Sequence, residues 1–248
     1  MRIQHNITAL NSHRNLSNNN SSLTKNLEKL SSGYRINRAG DDAAGLAISE
    51  KMRAQITGLQ TAQKNSEDGV SLVQTAEGAL TEVHSMLNRM VELATQSANG
   101  TYSTANRAEM QKEVKALQDE IDRISNTANF NGTTLFSGFS GNKAVAIHAG
   151  ETSKNDNQIK ITLSSMSASS MTAEIGGTTT TINLNTDVKV GTAADAKASI
   201  DKINTAIDIV SSMRSDFGAL QNRLEHTINN LGVQTENLSA AESRIRDV

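Results

Sequence analysis

Every seventh residue from Ile203 to Ile245 is apolar: Ile203, Val210, Phe217, Leu224, Leu231, Leu238 and Ile245. Seven residues make two turns of α-helix, so these side chains form one stripe along a single helix. The companion positions Ala206, Met213, Leu220, Thr227, Gln234 and Ala241 are mixed in character. One seam is therefore firm and its partner adaptable, which predicts a helix packed in a bundle rather than a simple two-stranded zipper. Nothing in the chain is built to interrupt such helices. It contains no proline, where an average composition supplies roughly 12, so no ring breaks a helix anywhere.

Three further helical stretches are predicted. From Met1 to about Gly33, Ile3, Ile7, Leu10, Leu16, Leu23, Leu27 and Leu30 fall mostly at helical spacing, in a background of Asn and Ser that favours fraying unless a neighbour covers the stripe. From Ala43 to about Asn99, Leu46, Ile48, Met52, Ile56, Leu59, Val70, Val73, Leu80, Val83, Leu87 and Val91 keep the period, and Asn99-Gly100 is a stop signal. Gly58, Gly69 and Gly78 lie inside this run and mark either close helix contacts or a break. From Thr104 to Thr127, Met110, Val114, Leu117, Ile121 and Ile124 are spaced four, three, four, three, a heptad stripe. The fourth helix opens at "GTAAD", where Thr192 and Asp195 have the spacing of a capping box.

Between Asn129 and Gly191 the texture changes to Ser, Thr, Gly and Asn with short alternating runs, "AVAIHAG", "NQIKITL" and "TTTTINLN", which read as brief strands. "FNGTTLF" places Asn131-Gly132 between apolar residues, a type I′ hairpin signal. Phe130, Phe136 and Phe139 are three of only 4 phenylalanines, which predicts a small satellite core. A length argument sets the expected shape. Two helices of about 55 residues are each ~80 Å long, whereas a compact domain of this chain length has a radius of gyration near ~18 Å. The expected fold is mainly α: an elongated antiparallel helical bundle or coiled-coil rod with a small β-hairpin-containing outer region. The expected division is residues 1–42 as an inner helix and joint, 43–138 with 192–248 as the helical rod, and 139–191 as a short outward segment.

Composition narrows the chemistry. With 24 basic and 26 acidic residues, the chain lacks the basic surplus of a nucleic-acid binder. It has no cysteine for a disulfide or thiolate site, and no apolar run long enough to span a membrane. His5, His13, His84, His148 and His226 form no metal-ligand spacing. No nucleophile elbow and no phosphate-binding glycine loop occurs. No catalytic residue, metal or cofactor is expected. In "GDD", Asp41 and Asp42 read as a helix start, because an Asp before an apolar-periodic run accepts free N–H groups and complements the helix N-terminus. Gly40 is read as supplying backbone freedom there. Upstream, Arg35 and Arg38 are either ordinary solvated charge or bidentate contacts between subunits.

Longer blocks of text resemble bacterial flagellin: "MRIQHNITALNSHRNL", "LEKLSSGYRINRAGDDAAGLAISEKMRAQI", "EDGVSLVQTAEGAL", "LNRMVELATQSANGTYS", "EIDRISNTANFNGTTLF", "FGALQNRLEHTINNL" and "NLSAAESRIRDV". They cover about Met1–Gly138 and Ala198–Val248. The resemblance implies a structural subunit that is secreted through the flagellum's own channel and polymerises outside the cell for motility. Its partners would be further copies of itself, the flagellar export apparatus, and the cap and junction proteins. The first helix would be the inner one, Gly33–Asp42 the joint. Family members continue past the point where "RIRDV" stands, so the chain as given is expected to polymerise poorly.

The resemblance further implies recognition by the innate receptor Toll-like receptor 5, through a helix face that here reads "NRMVELATQ". Arg89, Glu92, Leu93 and Gln96 keep the family text, Asn88 stands in place of a glutamine and Val91 in place of a second arginine; Glu113 matches a further contact position. Arg89 and Leu93, four apart, share a helix face. Other readings are a hook–filament junction protein, a non-flagellar signalling coiled coil, or a metalloprotease-bearing relative, the last set aside for want of an HExxH. Sedimentation of this chain is expected to show little filament; abundant filament would overturn that expectation.

Overall fold

A computed structural model describes residues 6–137, 142–175 and 178–248. The chain runs α1 (Ile7–Ser32), α2 (Ala43–Ala98), α3 (Thr104–Thr127), β1 (Asn129–Phe130), β2 (Thr133–Thr134), β3 (Asn142–His148), β4 (Gln158–Ser164), β5 (Met166–Ser167), β6 (Ser170–Ile175), β7 (Thr178–Ile182), α4 (Leu184–Asp187) and α5 (Ala193–Arg246). The described fold is mainly α with small antiparallel strand groups, as the periodicity predicts. It divides into two units, Met1–Thr61 with Asn230–Val248, and Ala62–Asn229.

The helix starts share one chemistry. Asn6 accepts the N–H of Ala9, and Ser103 that of Asn106. Asn183 accepts the N–H of Thr186, and Thr192 that of Asp195. Asp195 answers Thr192 through its carboxylate, which accepts the Thr192 hydroxyl at 2.7 Å. Each cap satisfies a donor that the first turn leaves free. At the other end of α1, Gly33 takes the left-handed φ of 74° and donates to Lys29 O, a conformation that costs a residue without a Cβ nothing. Caps at both ends hold α1 together as a 26-residue helix although it buries no residue. Its row Ile7, Leu10, Leu16, Leu23, Leu27 and Leu30 is uncovered, between 52% and 76% exposed.

In Ala62–Asn229, α3 runs antiparallel to α2, with Arg107 beside Ser97 and Glu113 beside Arg89. Here α5 is also antiparallel to α2, since Arg214 faces Glu77 and Leu224 lies beside Gly69. Leu80, Leu87, Val114, Ile121, Val210, Phe217 and Leu224 fill the space between the three, none more than 1% exposed. The heptad row is therefore the core row. Toward its C-terminal end Leu238 and Ile245, in the other unit, are only half-buried.

The strands lean on the same core. β3 and β4 pair in register from Asn142↔Ser164 to His148↔Gln158, and β4 alternates Ile159, Ile161 and Leu163 inward against exposed Lys160 and Thr162. The second sheet is antiparallel in the order β5-β6-β7. Asn131 and Gly132 both take positive φ, 49° and 78°, in the β1–β2 hairpin, as the type I′ signal requires. α2 continues unbroken through its glycines. At Gly69 a Cβ would stand 3.2 Å from Ile147 Cγ1 of β3, which marks a close contact, whereas at Gly78 it would meet nothing. Phe136 is 1% exposed and belongs to the main core, with Phe130 packed against it. The satellite core expected of the phenylalanines is thus corrected: the strands add their apolar faces to the helical core. Phe139 lies outside the described residues.

A polar row on α3 was not legible beforehand. Gln118, 1% exposed, donates through Nε2 to Leu184 O at 2.7 Å and Val188 O at 3.4 Å. Gln111 Oε1 accepts the N–H of Val190 at 2.6 Å, and Ser125 donates to Phe136 O at 3.2 Å. Asp122 accepts from the Ala168 N–H and the Ser167 hydroxyl. Gln111 and Gln118 thus seat the irregular chain that returns from the strands toward α5, Asp122 the turn between β5 and β6, and Ser125 the chain that follows β2.

Two substitutions test this packing in a denaturant titration. Phe217→Ala empties a fully buried site and is expected to cost about 3–5 kcal/mol. Gln118→Ala removes the side-chain donor shared by the Leu184 and Val188 carbonyls and is expected to cost about 1–3 kcal/mol.

Candidate interaction surfaces

The predicted site residues fall into two groups, one in each unit. In Ala62–Asn229 the group centres on Arg89. Its Nε donates to Glu113 Oε1 and its Nη1 to Glu92 Oε2, both at 2.8 Å. The guanidinium thus bridges α2 and α3, and the two carboxylates, Glu113 foremost, raise its pKa above the ordinary arginine value. All three side chains are 45–67% exposed, so water screens the pairs and they orient the arginine more than they stabilise the fold. Asn88 and Gln96 are exposed on the same helix, and Gln96 donates to the Tyr102 hydroxyl at 2.8 Å.

Leu93 does not join this surface. It is 2% exposed and sits in the core with Leu87 and Met90. The spacing of four that puts it on one face with Arg89 aligns backbone positions only. The long arginine reaches across to α3, while the leucine turns under it into the interior. The expectation that Leu93 serves an outside contact is corrected accordingly. The half-buried Val91 stands nearby. Beyond the predicted residues, Arg107 donates from Nε to Ser97 O at 2.9 Å and from Nη2 to Asn99 O at 3.0 Å. It thereby closes the C-terminal end of α2, where carbonyls lack partners.

In the other unit the group is the joint between α1 and α2. Asp42 is the cap of α2, its Oδ1 accepting the Gly45 N–H at 2.9 Å. Asp41 accepts the N–H groups of Arg38 and Asn37 through Oδ2, at 3.1 and 3.2 Å, and these bonds hold its carboxyl below the ordinary value. The carboxylates of "GDD" thus bind backbone donors of their own loop. Positive φ occurs at Gly33 and Gly132 and not at Gly40, so Gly40 does not supply the freedom expected of it. The crowded glycine is Gly45, where a Cβ would run into Asp42 and Ile36. Arg38 pairs with Glu28 at 3.0 Å in the open. Arg35 turns to α5, donating from Nη2 to Ile245 O at 2.5 Å and Arg244 O at 3.3 Å. No sequence signal pointed to that partner, because the two ends are 210 residues apart along the chain.

Comparison with known proteins fits the resemblance. Residues 3–140 match the bacterial flagellin N-terminal helical region and residues 200–248 the bacterial flagellin C-terminal helical region. The flagellin of Bacillus subtilis (strain 168) is 49% identical, the match spanning 100% of this chain and 88% of that protein. The flagellar filament 33 kDa core protein of Treponema phagedenis is 43% identical over 100% of this chain and 87% of its own length. Among solved structures, the crystal structure of Bacillus cereus flagellin superposes with a TM-score of 0.51 at 31% identity, covering 72% of this chain and 94% of that one.

The Asp41 carboxylate yields a pH prediction. Its pKa is depressed in the folded state, so the stability it lends the joint is fully present above the unfolded value of ~3.9 and is lost as the pH falls through the lower folded value. Asp41→Asn is expected to flatten that part of the acid titration of the joint, followed by amide protection of Asn37 and Arg38 between about pH 5 and pH 2.

Proposed function

The chain belongs to the bacterial flagellin family, and on that premise we propose how its parts serve the flagellar filament. It is a structural subunit of the extracellular filament, not an enzyme, and it assembles with copies of itself. The observation that carries this is the match of both helical regions, residues 3–140 and 200–248, with full-length likeness to flagellins. Among the described residues no helix is long and apolar enough to cross a membrane.

The finer reading follows from the surfaces. The uncovered row from Ile7 to Leu30 supports a role for α1 in subunit association, since a solvent-exposed apolar stripe of this extent invites a partner. Residues 1–42 then serve as the inner helix and joint, 43–138 with 192–248 as the helical body, and 139–191 as the outward segment. Delivery passes through the flagellar export apparatus, and the growing polymer meets cap and junction proteins. Arg35, Arg38, Asp41 and Asp42 set the joint that subunit packing uses. The exposed cluster of Asn88, Arg89, Glu92, Gln96 and Glu113 supports recognition by Toll-like receptor 5, with the arginine held upright by its two carboxylates; Leu93 contributes from below by packing.

Two measurements test the reading. Self-association of this chain is expected to fall when the α1 row is made polar by Leu16→Ser with Leu23→Ser, read by sedimentation velocity; unchanged association with the helices intact would overturn the role of α1 in assembly. Arg89→Ala is expected to weaken binding to the purified receptor ectodomain by about tenfold, the loss of one well-held arginine anchor. Unchanged binding would remove the receptor assignment.

A further inference from the structure

The text Asn-Gly-Thr stands at two places in Ala62–Asn229: at Asn99, just past the end of α2, and at Asn131, in the β1–β2 hairpin. An asparagine before a glycine can have its side-chain amide attacked by the next peptide nitrogen, because no Cβ screens that nitrogen. The two copies are held very differently.

At Asn99, hydrogen bonds converge on the atoms of that reaction. Its Oδ1 accepts the Thr101 N–H at 3.3 Å, an Asx turn that folds the side chain back over the Gly100 peptide. The bond polarises the side-chain carbonyl and stands where an oxyanion forms when the carbonyl carbon is attacked. The main-chain O of Asn99 belongs to the same peptide as the attacking nitrogen, and it accepts Arg107 Nη2 at 3.0 Å. Removing the Gly100 proton spreads negative charge from that nitrogen onto that oxygen, so the guanidinium favours the anion, which is the reactive form. A second bond, from Arg107 Nε to Ser97 O at 2.9 Å, holds the arginine in place. The Asn99 N–H is spent on Gln96 O, whereas the Gly100 N–H has no acceptor among the described residues. Asn99 and Gly100 are both exposed, so water reaches them.

Asn131 is exposed as well, but it is pinned at a φ of 49° between Phe130 and Thr133, which pair across the turn. Its peptide with Gly132 swings toward the side chain only if the hairpin opens.

We propose that Asn99 is a self-modification site, at which the side chain closes on Gly100 N with the help of Arg107 and the Thr101 N–H. Gly100 N gives its proton to a base in the solvent and bonds to Asn99 Cγ, and the negative charge passes to Oδ1. Oδ1 then reforms the carbonyl and Nδ2 departs as ammonia, taking a proton from water. The five-membered imide adds water at one of its two carbonyls, and the C–N bond on that side breaks. Opening at Cγ leaves aspartate; opening at the main-chain carbon leaves isoaspartate, which routes the chain through the side chain with an added methylene. Either product sets a carboxylate at the C-terminal end of α2, where the helix dipole disfavours it, and isoaspartate also lengthens the turn between α2 and α3. The reaction needs this turn alone and is independent of the filament reading, so its failure leaves that reading untouched.

The test is prolonged incubation of the full chain in mildly alkaline buffer. Conversion is read site by site from peptide mass, as loss of ammonia and gain of water, and isoaspartate by enzymatic methyl transfer to its carboxylate. In the folded chain Asn99 is expected to convert about tenfold faster than Asn131 or more; in denaturant, where both are plain Asn-Gly-Thr, the two rates should be equal. Arg107→Ala should slow Asn99 in the folded chain about tenfold, the loss of one charge-assisted bond to the anion. Arg107→Lys, which keeps the charge, should restore part of that rate, and neither variant should alter Asn131. Gly100→Ala, whose Cβ would meet nothing within 4 Å, should keep the helices by circular dichroism and slow Asn99 by about tenfold as well. A folded-chain rate at Asn99 no greater than at Asn131, or one that is unchanged or faster in Arg107→Ala or Gly100→Ala, overturns the proposal.

Discussion

The apolar seam of Ala62–Asn229 is the constraint from which the rest of that unit follows. Phe217 and Leu224 of α5, Leu80 and Leu87 of α2 and Val114 and Ile121 of α3 are withdrawn from water almost completely. Each helix presents one stripe, and three stripes can be covered together only if the helices lie side by side. The strands have no independent claim to stability. A two-stranded pair such as β3–β4 is marginal alone, and it persists because Ile159, Ile161 and Leu163 complete the surface that the helices leave open. Gly69 is the place where this dependence is visible, since only a missing side chain lets Ile147 come so near α2.

Where the seam thins, polar contacts at helix ends take over. In the unit formed by Met1–Thr61 and Asn230–Val248, Leu238 and Ile245 are half-covered and α1 covers nothing. What organises the joint is the satisfaction of orphan peptide groups: Asp42 for the start of α2, Asp41 for the turn before it, Arg35 for the finish of α5. Arg107 does for α2 in the other unit what Arg35 does for α5. Arginine suits the task because its planar fork can serve two carbonyls at once and stays charged.

These two kinds of interaction differ in how far they could be read from the sequence. Helix positions, the Asn131-Gly132 hairpin, the Thr192 cap and the role of "GDD" were legible because each depends on neighbours within a few residues. The bounds of α3 came out as its heptads imply, yet the burial of Gln118 and Ser125 did not, since periodicity counts apolar residues and passes over polar ones that find backbone partners inside. Leu93 shows the opposite error: a family motif reads as a surface, yet Met90, Leu93 and Ala94 within it are core. Arg35 and Arg107 were recognisable as charges but not as caps, because their acceptors are fixed only once distant chain segments meet. Strand β5, of two residues, and helix α4, of four, are too short to leave a period at all.

The row of Gln111, Gln118, Asp122 and Ser125 on α3 holds mostly peptide groups: the carbonyls of Leu184, Val188 and Phe136 and the N–H groups of Val190 and Ala168, beside the Ser167 hydroxyl and the Asn185 amide. Such a socket grips the main chain directly. The stretch leading back to α5 is held twice, by these bonds and by Leu184, Val188 and Val190, none more than 1% exposed, so the loops before it can lengthen while its path over α3 stays where it is. A helix that fixes this trajectory leaves the loops beyond it open to revision above an interior that is not.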